Sequence, residues 1–272
     1  MAFFHTKDGT RLYYRTKGTG KPIVLIHGWS NSHEAFLIQE QQLCDDYYVV
    51  TYDLRGHGKS DKPQQGLSLR TFAKDLKELL EHLELEDALL VGWSMGTSVI
   101  FEYLRHFNQE HISKVCFVDM TPKLLNDKTW KLGLYHGSFT EKDNFNALTT
   151  IFEDWPSYAK TFIKATIPYL TEEQIEQLFH LKEDNLPHVM AAMWLSMSAN
   201  DYRDVLPSIT VPSLIIYGTK STLYSEDTAQ YMAQHIKHST LLPFEGCTHF
   251  LVGEQPHRFT EAIRNFATEK SS

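Results

Sequence analysis

A serine flanked by glycines, in Gly92-Trp93-Ser94-Met95-Gly96, follows the apolar run Ala88 to Val91 and precedes a helical pattern. A nucleophilic serine on a tight strand-to-helix turn needs this setting. The backbone is held in a strained conformation, the hydroxyl stands clear of the sheet, and the next amide points back at it. The pentapeptide alone also describes a serine in an ordinary glycine-flanked turn, so its surroundings decide. A serine hydroxyl is a weak nucleophile at neutral pH and requires a base within hydrogen-bond reach, with donors aimed at the oxyanion that forms. His249, in Glu245-Gly246-Cys247-Thr248-His249-Phe250, is the one histidine both late in the chain and just past the carboxyl end of a strand pattern. Strand ends of a parallel sheet share one edge with the Ser94 turn, so His249 is the candidate general base. The oxyanion donors are expected to be the amides of Met95 and of Trp29, which follows His27-Gly28 after the first parallel strand. The side chains of Trp29 and Met95 are expected to wall the acyl pocket, and His27 to shape its turn rather than act as a base.

These groups must be held by a sheet. Ile23 to Ile26 is a continuous apolar run stopped by His27-Gly28, the pattern of a strand buried on both faces, and Tyr47 to Tyr52 is the next. Leu69, Phe72, Leu76, Leu79, Leu80 and Leu83 then recur at helical spacing, with Lys74, Lys77, Glu78 and Glu81 on the other face. A strand at Ala88 to Gly92, a helix through about Phe107 and a strand at Val115 to Val118 continue an alternation that implies a parallel sheet with right-handed crossovers. Between Pro122 and about Pro207 the alternation stops. Helical patterns run there from Tyr158 to Ala165, Glu172 to Leu181 and His188 to Met197, with Thr171 and Pro187 as start signals for the last two. Trp130, Phe139, Phe145, Phe152, Trp155, Phe162, Phe179 and Trp194 supply aromatic material for a small core and for part of a pocket wall. The alternation resumes with a strand at Leu214 to Gly218, a helix around Ser225 to Ile236, a strand at Ser239 to Phe244 and a closing helix from about Pro256 to Phe266. A frayed polar end is expected at Thr268 to Ser272. The expected organisation is a core of residues 1–121 and 208–272 interrupted by a helical cap at 122–207.

At 272 residues, 42% hydrophobic and 22% charged, the chain has ordinary globular composition and ample core material. A formal net charge of -8 argues against a nucleic-acid partner or an anionic membrane surface. The start lacks a basic segment followed by an apolar stretch, and no window reaches transmembrane length, so a cytoplasmic protein is expected. Three cysteines fit a reducing compartment, and Cys247, though close to His249, reads as a plain small residue. Despite 14 histidines no HExxH motif occurs, and His106 to His111 has one residue too many for its inverted form. No metal and no cofactor are expected.

Four motifs occur in order: His27-Gly28-Trp29, Tyr52 to Ser60 (Tyr-Asp-Leu-Arg-Gly-His-Gly-Lys-Ser), Gly92 to Gly96, and the Gly246 to His249 turn. With them the chain resembles the α/β-hydrolase family over nearly its whole length, and within it the small carboxylesterases and cofactor-free perhydrolases. The resemblance implies an α/β fold with a mostly parallel eight-stranded sheet, helices on both faces and a helical cap after strand six. It also implies that Asp53 to Ser60 is a structural turn. The family usually places its triad acid three residues after the glycine ending strand seven, and here that position is the uncharged Ser221. A histidine base still needs an acceptor on its other ring nitrogen. Asp119, ending the preceding strand next to the Ser94 strand, is the first candidate, with Glu226 and Asp227 next. The implied activity is hydrolysis of small or medium carboxylic esters, as small-molecule substrates, through an acyl-enzyme on Ser94. Two alternatives stand beside it: perhydrolase or haloperoxidase activity from the same intermediate, and a ligand-binding signalling protein on a hydrolase scaffold, the latter motivated by Ser221.

Overall fold

In the computed structural model, which describes residues 2–269, eight strands form one sheet in the order β1-β2-β4-β3-β5-β6-β7-β8. They are β1 (Ala2–His5), β2 (Arg11–Lys17), β3 (Pro22–Ile26), β4 (Tyr48–Tyr52), β5 (Ala88–Trp93), β6 (Ile112–Val118), β7 (Ser213–Gly218) and β8 (Ser239–Phe244). From β4 across to β8 every neighbour is parallel, whereas β2 runs antiparallel to both β1 and β4. β1 and β2 are not among the expected strands. They are joined by a turn rather than a helix, so they lack the β-α-β rhythm that marked the others.

Period-two alternation sorts the strand residues between two cores. Val24, Ile26, Leu90, Val115, Phe117 and Ile215 belong to one cluster, and Ile23, Leu25, Leu89, Val91, Cys116 and Ile216 to the other. The first is covered by α2 (Leu69–His82), α3 (Met95–Phe107) and α8 (Glu226–His235), the second by α1 (Leu37–Leu43), α9 (Leu251–Glu254) and α10 (Pro256–Thr268). Helix α2 begins where the Ser68 hydroxyl accepts the Thr71 amide at 3.2 Å, and it buries Leu69, Phe72, Leu76, Leu79 and Leu80 as their spacing predicts. Thr268 closes α10, and residues 270–272 of the expected frayed end lie outside the described residues.

Between β6 and β7 the chain forms α4 (Glu141–Glu153), α5 (Trp155–Thr166), α6 (Glu172–His180) and α7 (Pro187–Ser198). Helix α4 has no counterpart among the expected helices because it buries only Asn144, Ala147 and Ile151, too narrow an apolar stripe to read. Its signal is the capping box formed by Thr140 and Asp143. An isolated bridge between Lys123 and Asp201, with the Tyr202 amide donating to Pro122 at 2.8 Å, brings the two ends of the insertion together. Of its aromatics, Trp130, Phe139, Trp155, Phe179 and Trp194 are buried, but Phe145 and Phe152 are 71% and 59% exposed and do not join the inner core. No helix among the described residues is long and apolar enough to cross a membrane.

Candidate active site

Ser94 sits between β5 and α3 with φ 54° and ψ -121°, a left-handed conformation that costs an L-residue energy and is held by its neighbours. Its amide donates to Val118 at 2.9 Å, and its carbonyl accepts the Thr97 amide at 2.8 Å. The strain is on the serine itself; neither Gly92 nor Gly96 has positive φ. Those glycines serve close approach. A Cβ on Gly92 would lie 2.5 Å from the Gly96 carbonyl carbon, and one on Gly96 would run into the Ile26 carbonyl. Gly28 does the same on the facing loop, where an added Cβ would sit 3.1 Å from the Ser94 Cβ.

His249 lies in the loop after β8 and is buried, with its ring flanked by Trp93 and Tyr224, each at 5.8 Å between centroids. The Trp93 indole donates to the His249 carbonyl at 3.0 Å and fixes the loop from β5. His249 Nδ1 is 2.6 Å from Asp119 Oδ2, so Nδ1 donates to the carboxylate and Nε2 remains as the ring nitrogen able to accept a proton. Asp119 directly follows β6, with φ 44°, and is 3% exposed. Its Oδ1 accepts the Gly218 amide at 3.1 Å, and its Oδ2 also accepts the Ser221 hydroxyl at 2.7 Å. The residue that departs from the family pattern thus supplies a donor to a carboxylate arriving from the next strand. Glu226 and Asp227 begin α8 as exposed residues, and it is Asp119 that His249 Nδ1 meets.

Ser94 and His249 line one cavity of about 340 Å³, within the range of small-molecule sites. Phe162, Ile163, Ile167, Leu178 and Val252 give it apolar walls. Trp29 also lines it, anchored by its indole to the Met190 carbonyl at 3.0 Å and packed edge-on against Trp155, Phe162 and Trp194. The expectation for Met95 needs correction. Its side chain is fully buried in the core and does not line the cavity, whereas Trp93 does. A first-turn residue points its amide out of the helix end but its side chain to the flank. Among the described residues neither the Trp29 nor the Met95 amide is spent on a backbone acceptor. The roles of three side chains are set by contacts between distant segments: the Trp93 indole on the His249 carbonyl, the Ser221 hydroxyl on Asp119, and Lys182, which carries no sequence motif and also lines the cavity.

Several other histidines, and Cys247, have structural surroundings. His27 is buried, donates from Nδ1 to Gly28 at 2.8 Å and accepts the Leu54 amide on Nε2 at 3.0 Å. Asp53 holds the next turn by accepting the His33 amide at 2.7 Å, His33 Nδ1 at 2.8 Å and the Lys59 amide at 2.8 Å. His106 and His111 pair with Glu102 and Glu86, at 2.9 and 2.8 Å. Burial pushes the Cys247 thiol up to about 11, which keeps it protonated at neutral pH. Burial also lowers His27 to about 4 and His57 to about 3 from the ordinary 6.5. The unfolded chain therefore takes up protons first as the pH drops. The stability these two residues contribute is fully present above about pH 6.5 and is lost as the pH falls towards those depressed values. Urea unfolding of His57→Gln between pH 6.5 and 4.5 is expected to be less pH-dependent than wild type, by up to about 1.4 kcal/mol per pH unit. Equal slopes would mean that His57 takes up its proton in the folded chain.

A turn-borne serine, a histidine and a carboxylate on a mostly parallel sheet define a class of fold and site. A family profile described as alpha/beta hydrolase fold matches residues 21–256, and the chain belongs to that family. It is 32% identical over 268 residues to a Synechocystis protein provisionally named non-heme chloroperoxidase, covering 94% of each chain. The fold superposes on an esterase from Exiguobacterium antarcticum with a TM-score of 0.90 at 29% identity, over 98% of this chain and 99% of that one. A bromoperoxidase from Bacillus anthracis gives 0.89 at 28% identity, over 98% and 100%.

Proposed function

We propose that this protein is a serine hydrolase that cleaves small or medium carboxylic esters through an acyl-enzyme on Ser94. The observation that carries the reading is the Ser94 turn, held at φ 54° beside a cavity that it lines together with His249, whose Nδ1 meets the buried Asp119 at 2.6 Å. Ser94 Oγ attacks the ester carbonyl while His249 Nε2 takes its proton, and the Trp29 and Met95 amides hold the oxyanion. His249 returns the proton to the leaving alcohol. Water, deprotonated by the same nitrogen, then attacks the acyl-enzyme and releases the acid. Asp119 keeps the Nδ1 proton in place and stabilises the imidazolium. In this reading residues 1–121 and 208–272 form the catalytic core, and the helical segment 122–207 is the cap that closes the apolar wall.

The haloperoxidase names among the relatives favour a second reading of the same intermediate. Hydrogen peroxide in place of water would attack the acyl-enzyme, giving a peracid and free Ser94, and the peracid would oxidise halide. Release of p-nitrophenol from p-nitrophenyl butyrate, compared with peroxide-dependent bromination of a phenol in acetate buffer, separates the two. The proposal predicts ester turnover that needs no peroxide. Bromination without measurable ester hydrolysis would contradict it and favour the second reading.

A further inference from the structure

The walls of the cavity are mostly apolar, but Lys182, from the loop between α6 and α7, brings a cation to it. The Lys182 ammonium donates to the Ser30 carbonyl at 3.2 Å and to Asn31 Oδ1 at 2.8 Å, both neutral acceptors. Asn185 donates to the same Ser30 carbonyl at 3.0 Å and completes a cradle around the lysine. Other lysines of this insertion are treated differently: Lys160 pairs with Glu176 at 2.6 Å, and Lys164 pairs with Glu172. Lys182 has no such carboxylate among the described residues. An ammonium has three N–H donors, so two neutral acceptors leave both a donor and the charge unmatched.

The other titratable groups around it do not neutralise that charge. Glu34, on the cavity rim, is exposed, and Glu183 next in the chain is exposed and pairs with His180 at 2.9 Å. His27 and His57 lie close enough for the lysine to disfavour their protonation, and burial already keeps both neutral. His249 lines the cavity with its own carboxylate, Asp119. We propose that Lys182 is a specificity-determining residue that pairs with a carboxylate carried by the substrate, so that the preferred substrates are esters bearing a second, ionised acid group rather than uncharged esters. This inference rests on the hydrolase reading of Ser94.

Two matched pairs of esters test it: p-nitrophenyl pentanoate against the mono-p-nitrophenyl ester of glutaric acid, and phenyl acetate against 4-acetoxybenzoate. In at least one pair the wild-type protein at pH 7 is expected to favour the charged member in kcat/KM by about tenfold or more. Lys182→Met should remove that preference chiefly through KM, and Lys182→Arg should retain part of it. Burial lowers the lysine to about 8, so the preference should also fade as the pH rises through that value. Ratios near one in both pairs for the wild type, or an unchanged preference in Lys182→Met, would overturn the inference while leaving the hydrolase reading intact. A parallel loss on charged and neutral esters with a lowered Tm would assign Lys182 to tying the insertion to Ser30 and would also overturn it. Absence of turnover on all four esters would remove the hydrolase reading, and this inference with it.

Discussion

Replacing Asp119 by Asn is expected to lower kcat on an activated ester by about four orders of magnitude while KM changes little. The reason lies in the donor pattern around the carboxylate. Oδ1 accepts the Gly218 amide, and Oδ2 accepts both the Ser221 hydroxyl and His249 Nδ1. An asparagine must keep its carbonyl towards the Gly218 amide, because that donor is buried backbone and cannot rotate away. Its NH2 group then faces Ser221 and His249. Ser221 can turn its hydroxyl and accept, but His249 must present an unprotonated Nδ1 and carry its proton on Nε2. In that tautomer the ring has no lone pair left for the Ser94 proton. Asp227→Asn, on the exposed start of α8, is expected to stay within about twofold of wild type. Near-normal turnover by the Asp119 variant would remove this residue from the mechanism.

Ser94→Ala is expected to have the largest effect, a loss of about a million-fold in kcat, because the nucleophile and its base act as one unit. A residue of catalysis over water should survive from oxyanion donors and binding. Alanine keeps the Cβ that packs against Gly28 and removes only Oγ from a half-buried site, so the fold should persist and Tm should shift by a few degrees at most. Combining Ser94→Ala with Asp119→Asn should be hardly worse than Ser94→Ala alone. A double variant losing the product of the two factors would mean that the residues act independently, against a shared proton relay.

The parts of this fold legible in the sequence are those set by local pattern. The runs ending at His27-Gly28 and Gly92 are strands buried on both faces, and the spacing from Leu69 to Leu83 needs only its own period to declare a helix. β1 and β2 escape because antiparallel strands joined by a turn have no crossover helix to announce them. For α4 the cause is a thin apolar stripe. At the site, Ser94 and His249 were readable as candidates because a glycine-flanked turn and a strand-end loop are local signals. What Ser221 does was not, since its hydroxyl meets an oxygen of a residue 102 positions away. The same holds for Lys182, whose partners Ser30 and Asn31 are 152 and 151 positions distant. Met95 shows the limit from the other side: its amide follows from its place at the head of α3, but the direction of its side chain depends on how α3 lies against the sheet.

Covalent capture decides whether Ser94 is an activated nucleophile. Intact-mass measurement after treatment with a fluorophosphonate, followed by peptide mapping, is expected to find one adduct per chain, on Ser94, formed much faster on wild type than on Asp119→Asn and absent from Ser94→Ala. A wild-type protein that remains unlabelled would mean that Ser94 is not activated and would favour a ligand-binding role for this hydrolase scaffold, and an adduct that maps to another residue would move the nucleophile away from Ser94.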